Sequence, residues 1–147
     1  MDGAQNMATT EPLYLADFVT GLFAALAKRG VTSLSLRNQR LSIALQEAFA
    51  RLEKETAGQS LKLKFCIRAH PIHGTDPELE DELTEAAKRD LISLDNPEYQ
   101  DLRLKVNPSE AEKYLASVPG SPSLYLGLAD TFMDAYCRSQ AVNQVLL

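Results

Sequence analysis

Apolar residues recur along the first third of the chain with the spacing of a helix. Leu15, Phe18, Val19, Leu22, Phe23 and Leu26 fall at i, i+3, i+4, i+7, i+8 and i+11. Residues 13–29 therefore predict an amphipathic helix with one face turned to a core. Lys28 and Arg29 put positive charge on its last turn, and Gly30 supplies a C-cap. A second helix is predicted from about Leu36 to Thr56, with Leu41, Leu45, Ala48 and Leu52 as its stripe and Ala57-Gly58 as its end. The preceding VTSLSL alternates like a strand and competes with that start. Glu47 and Arg51, four residues apart, predict an ion pair on ordinary exposed helix surface.

The period then shortens to two. Leu61, Leu63, Phe65 and Ile67 alternate with Lys62, Lys64, Cys66 and Arg68, the pattern of a strand buried on one face. A helix follows over roughly 77–90, with Leu79, Leu83, Ala86 and Ala87 facing inward. LISL and DLRLKV, separated by the turn-forming DNPEYQ, predict a β-hairpin that offers Ile92, Leu94, Leu102, Leu104 and Val106 for burial. Asn107 to Glu110 open a short helix carrying Ala111, Tyr114, Leu115 and Val118 on one face, and Pro119-Gly120 stops it. Ser121 and Pro122 sit where an N-cap and a first helical residue belong. The last helix carries Tyr125, Leu128, Ala129, Phe132 and Tyr136. The expected architecture is a single α+β domain over residues 12–147. Its helices pack on one face of a small three-stranded sheet formed by the strand at 61–67 and the β-hairpin, with residues 1–11 as a flexible tail.

The helix, short strand and hairpin between residues 78 and 106 resemble the recognition helix and wing of a winged-helix domain. The resemblance is to a general architecture and covers under a third of the chain. A winged helix has two helices between its first strand and its wing. With 61–67 as that first strand, residues 69–76 leave no room for the second one.

Composition narrows the class. The 147 residues, 45% apolar and 24% charged, suit one globular domain with a real core. The opening MDGAQNMATTE has neither a basic start nor an apolar run, so no secretory signal is expected. LYLADFVTGLFAALA is too short to span a bilayer and contains Asp17, so no membrane contact is expected either. Cys66 and Cys137 lack CxxC spacing and are read as small buried hydrophobes in a reducing, cytoplasmic setting. The net charge of −5 is unevenly spread: residues 28–73 hold nine Lys/Arg against three acids, and residues 74–147 hold six against fourteen. That segregation disfavours indiscriminate nucleic-acid binding and suits docking to an oppositely charged partner.

The stretch RAHPIHGTDPELEDEL, 68–83, holds both histidines and a dense run of acid. His70 and His73, with Asp76 and, as outsiders, Glu80 or Cys66, are the candidate ligands of a metal-dependent hydrolase, the weakest of the functional readings. No HExxH, paired CxxC or third histidine completes a set, and GxSxG, GxGxxG and GxxxxGK[ST] are all missing. Loop chemistry explains the stretch more simply. Pro71 and Gly74 turn the chain, Asp76 caps the helix, and the acids that follow sit at the positive end of its dipole. No cofactor or metal is expected.

Two binding readings remain. Arg37, Asn38, Gln39 and Arg40 combine side chains able to contact base edges, and could lie near the start of the second helix of a helix-turn-helix. Lys62, Lys64, Arg68, Arg103 and Lys105 project from the polar sides of the predicted strands, where they could track phosphates or dock an acidic protein. This face carries no aromatic for stacking bases, because Phe65 falls on the apolar side. The second reading rests on the last helix. Its stripe of Tyr125, Leu128, Phe132 and Tyr136 continues into Val145 and Leu146, so it could meet a protein partner or a second copy. The favoured expectation is a non-catalytic binding module, a subunit or adaptor in a protein assembly. A DNA-binding regulator of helix-turn-helix or winged-helix type comes second.

Overall fold

The computed structural model describes residues 11–35, 40–57, 61–65, 77–93 and 101–146, with the side chains of 40, 77–80, 101 and 139–146 excepted. Among the described residues five helices and five short strands make an α+β fold. In chain order they are β1 (Glu11–Leu13), α1 (Leu15–Lys28), β2 (Ser33–Ser35), α2 (Arg40–Thr56), β3 (Leu61–Leu63), α3 (Pro77–Lys88), β4 (Ile92–Ser93), β5 (Asp101–Leu104), α4 (Pro108–Ser117) and α5 (Pro122–Leu146).

The helices stand where the apolar stripes put them, and their ends are chemically marked. The Tyr14 amide donates to the Asp17 carboxylate at 3.0 Å, satisfying one orphan donor at the start of α1. Asn107 accepts from the Glu110 amide at 2.8 Å while Glu110 accepts from the Asn107 amide at 3.3 Å, a capping box at the start of α4. Ser121 accepts the Leu124 amide at 3.2 Å at the start of α5.

Helices α1 and α3 end alike. The Val31 amide donates to the Leu26 carbonyl and Gly30 to Ala27; Leu91 donates to Ala86 and Asp90 to Ala87. Both ends are Schellman motifs, which require a left-handed residue. Gly30 takes φ +89 without difficulty, whereas Asp90 takes φ +62 with a Cβ present. A Cβ at Gly30 would meet nothing within 4 Å, so only backbone strain opposes a substitution there. Gly30→Ala is expected to lower stability by about 1 kcal/mol, and Asp90→Gly to raise it by about 0.5 kcal/mol. Urea midpoints at fixed m-value check both. The Asp90–Lys105 ion pair lost in the second variant is exposed and contributes little.

The sheets differ from the sequence expectation in membership. The strand at Leu61–Leu63 does not join the hairpin. It pairs in parallel with Glu11–Leu13, in the register Pro12 to Lys62, so β1 opens at the last residue of the expected tail. The hairpin strands β4 and β5 instead take β2 as third member, in the antiparallel order β2-β5-β4. Strand β2 comes from the alternating VTSLSL, with Leu34 buried and Ser33 exposed. Leu34 stands opposite Leu102, and Ile92 opposite Leu104, on the inner face. The predicted three-stranded sheet with a hairpin is therefore present, built on residues 33–35 rather than 61–67. A consequence is that a strand separates α1 from α2, so these helices are not the two halves of a helix-turn-helix.

Helix α2 lies along α5, α1 along α4 and α5, and α3 against α1. Phe18 of α1, Phe49 of α2 and Phe65 beyond β3 meet as a ring cluster with centroids 5.2–6.4 Å apart. Gly21 lets α1 and α5 approach closely, because the Tyr125 ring occupies the space a Cβ would need. Arg51 of α2 donates to the Gly127 carbonyl at 2.9 Å and to the Thr131 hydroxyl at 2.7 Å, clamping α2 to α5. Its carboxylate partner is Glu55 at 3.6 Å, while Glu47 stands 4.0 Å from Arg138 on α5. The predicted Glu47–Arg51 pair gives way to these contacts, because α5 offers Arg51 better acceptors.

Candidate binding surface

The aromatic stripe of α5 is spent on the chain's own core. Tyr125, Leu128 and Phe132 are fully buried and Tyr136 is 9% exposed. The Tyr125 hydroxyl donates to the Pro119 carbonyl, and burial pushes its pKa up. Tyr136 stacks on Phe132, and its hydroxyl accepts the Ser35 amide at 2.6 Å, tying the edge strand β2 to α5. These four residues are therefore not the partner surface expected of them: helical spacing is the same whether a stripe meets its own core or another chain. Val145 and Leu146 belong to α5, but their side chains lie outside the described residues. Cys137, expected to be buried, is an exposed free thiol on the outer side of α5.

The basic positions are distributed over two sheets. Lys62 and Lys64 are exposed on or beside β3, and Arg103 and Lys105 on or beside β5. Because β3 and β5 do not pair, the four do not form one continuous strip. Lys105 is 3.2 Å from Asp90. Arg103 stands between Ser33 and Ser93 in register across the outer face of the three-stranded sheet. Among the described residues no carboxylate comes within 4 Å of Lys62, Lys64 or Arg103. Arg37, Asn38 and Arg68 lie outside the described residues, as does the side chain of Arg40, whose backbone opens α2.

Other cations are already matched by surface acids: Lys28 with Glu112 at 2.8 Å, Arg29 with Asp130 at 3.0 Å, and Arg138 with Asp134 at 3.1 Å. The Lys28 ammonium holds the Glu112 carboxyl below its ordinary value through their hydrogen bond.

Helix α3 has the opposite character. Its sequence, PELEDELTEAAK, carries five acids and one lysine. Leu83 and Ala86 face inward, while Asp81, Thr84 and Glu85 are exposed. Arg89, just past its end, is 2.8 Å from Glu82 and donates to the buried Thr20 hydroxyl of α1 at 3.4 Å, so it fastens α3 to α1. Burial raises the Glu82 pKa, Arg89 partly opposes this, and the Glu85 and Asp17 carboxylates add to it.

A raised folded-state pKa means that the native protein binds this proton more readily than the unfolded chain. The associated stabilisation is complete below the unfolded carboxylate pKa and is lost as pH rises through the folded value. Relative to Glu82→Gln, the wild-type protein is expected to gain stability on acidification from neutral pH into the carboxylate range. Urea midpoints of the two proteins across that window check the sign.

Among the described residues no three His, Cys, Asp or Glu side chains are grouped so as to hold a metal ion. His70 and His73, with Asp76, lie outside the described residues. No described helix is long and apolar enough to cross a membrane.

Sequence reasoning missed Tyr14, which is 53% exposed one step past the Leu13–Leu63 pair. The only sequence signal was the alternation across Glu11-Pro12-Leu13-Tyr14, too short to read as a strand. Comparison with protein-family models, with curated proteins and with solved structures finds no match for this chain.

Proposed function

We propose that this chain is a non-catalytic binding module, a subunit or adaptor in a protein assembly, built on a winged-helix-like core. With Ser33–Ser35 as first strand, two helices, α2 and α3, precede the hairpin β4–β5, as in a winged helix, although β3 of the other sheet intervenes between them. The antiparallel order β2-β5-β4 is consistent with that connectivity. In this reading α3 takes the place of the recognition helix.

The charge of α3 carries the functional conclusion. A helix laid against DNA must offer cations or neutral donors to phosphates. Helix α3 carries five acids against one lysine; Glu82 is paired with Arg89 and Glu85 with Lys88, and the acidic balance of the helix still disfavours a phosphate backbone and favours basic protein surface. The connectivity supports the architecture, and the acid supports protein over DNA as its partner.

The test is reconstitution with whatever protein co-purifies with the full chain in fixed stoichiometry. Asp81 and Glu85 are exposed and contribute nothing to the core, so Asp81→Lys/Glu85→Lys leaves the fold intact. That variant is expected to lose the partner by at least about tenfold in affinity. Undiminished association of the charge-reversed protein contradicts the assignment of α3 as the contact.

A further inference from the structure

We infer that the outer face of the β1–β3 pair is a second docking surface, for an extended acidic peptide segment of a partner protein. The inference rests on the binding-module reading and adds to it a surface opposite in sign to α3.

The face is built by the parallel register. Glu11 pairs with Leu61, Pro12 with Lys62 and Leu13 with Leu63. The ladder continues one step, because the Lys64 amide donates to the Leu13 carbonyl at 2.9 Å. Tyr14 remains extended at φ −98 and ψ 164. Side chains alternate along extended backbone, so Leu13, Leu61 and Leu63 turn inward while Pro12, Tyr14, Lys62 and Lys64 turn outward. The burial follows: Leu13 is fully buried, Leu61 and Leu63 are half-buried, and all four outward residues are exposed.

Two lysines, a tyrosine and a proline thus share one small surface. Among the described residues the nearby acids do not neutralise it. Glu11 falls on the opposite side of its strand, and the Asp17 carboxylate is occupied with the Tyr14 amide. Tyrosine is enriched at interface centres, since the ring gives contact area at low entropic cost, and the two lysines supply charge at its rim.

Charge complementarity selects an anionic occupant, and the spacing selects its form. Lys62 and Lys64 are two residues apart on a strand, about 6.6 Å at about 3.3 Å per residue. An extended peptide with acids at alternate positions repeats at the same distance. A single-stranded nucleic acid fits less well, because such sites track the backbone over several nucleotides with repeated aromatic platforms. Here one tyrosine and two lysines stand on a chain of net charge −5.

The experiment titrates the full chain with a fluorescein-labelled peptide of alternating aspartate and leucine, and in parallel with a labelled oligothymidine. The expected result is peptide binding that weakens as salt rises beyond about 0.15 M. Lys62→Glu/Lys64→Glu should weaken it at least about tenfold and Tyr14→Ala about fivefold, with melting unchanged because these side chains are exposed. Absence of peptide binding at low salt, or binding unaffected by the substitutions in folded variants, overturns the inference. Tighter binding of oligothymidine, lost in the same variants, overturns it in favour of nucleic acid. The α3 variant separates the two proposals: partner loss on charge reversal in α3 with no peptide binding at Lys62 and Lys64 refutes this surface and leaves the module reading standing.

Discussion

Gly21→Ala is expected to destabilise the protein by about 2–3 kcal/mol, although it adds one methyl group. The new Cβ would sit on the Tyr125 ring, 2.9 Å from Cζ and closer still to Cε1 and Cδ1. Neither side can give way easily. The ring is fully buried and its hydroxyl is anchored to the Pro119 carbonyl, so rotation would break that hydrogen bond. Helix α1 could retreat only by opening its contacts with α4 and α5. The explanation is specific to one pair and can be checked as such. In a Tyr125→Leu background, which removes the obstructing ring atoms, Gly21→Ala should cost under about 1 kcal/mol. Equal cost in both backgrounds would assign the effect to neighbours other than the ring, since the helix backbone itself favours Ala over Gly.

The second large effect belongs to Phe18. It is fully buried and meets Phe65 at 5.4 Å and Phe49 at 6.4 Å between ring centroids. These rings join α1, α2 and the residues beyond β3 into one core, so a void there cannot be filled from a single element. Phe18→Ala is expected to cost about 3–5 kcal/mol. For a domain whose total stability is about 5–15 kcal/mol, that leaves a marginal fold. Equilibrium denaturation checks the size. Phe18→Leu, which keeps most of the volume, should recover more than half of the loss.

Legibility in the sequence followed the range of the interactions. Helices α1, α4 and α5 could be read because stripe, cap and stop are local. Leu15 to Leu26 set the period of α1, Asn107 with Glu110 closes a capping box, and Gly30 marks an end. Strand partnership could not be read. Leu61–Leu63 shows which side chains turn inward but not which strand lies beside it, and its actual neighbour, Glu11–Leu13, has three residues and no measurable period. The alternation of VTSLSL was visible, yet it competed with a helix start at Leu36, and only pairing with Asp101–Leu104 decides between them.

The same limit applied to the surface. Alternation predicted that Lys62, Lys64, Arg103 and Lys105 would be exposed, and they are. Whether they share a face depends on sheet membership, which separates them. On α5, apolar spacing identified Tyr125, Leu128, Phe132 and Tyr136 as buried in something, and the fold shows it to be their own domain.

The most direct test of the central claim, that the chain binds protein rather than DNA, is a salt titration against mixed-sequence duplex DNA. Light scattering should accompany it, so that any mass change is read on the same sample. The acid of α3 and the division of the basic residues between two sheets predict no saturable binding at about 50 mM salt with protein at tens of micromolar. Micromolar binding that falls by about a thousandfold between about 50 and 200 mM salt would contradict the account. It would move the DNA-binding reading, on Arg37, Asn38 and Arg40 with the strand lysines, to first place.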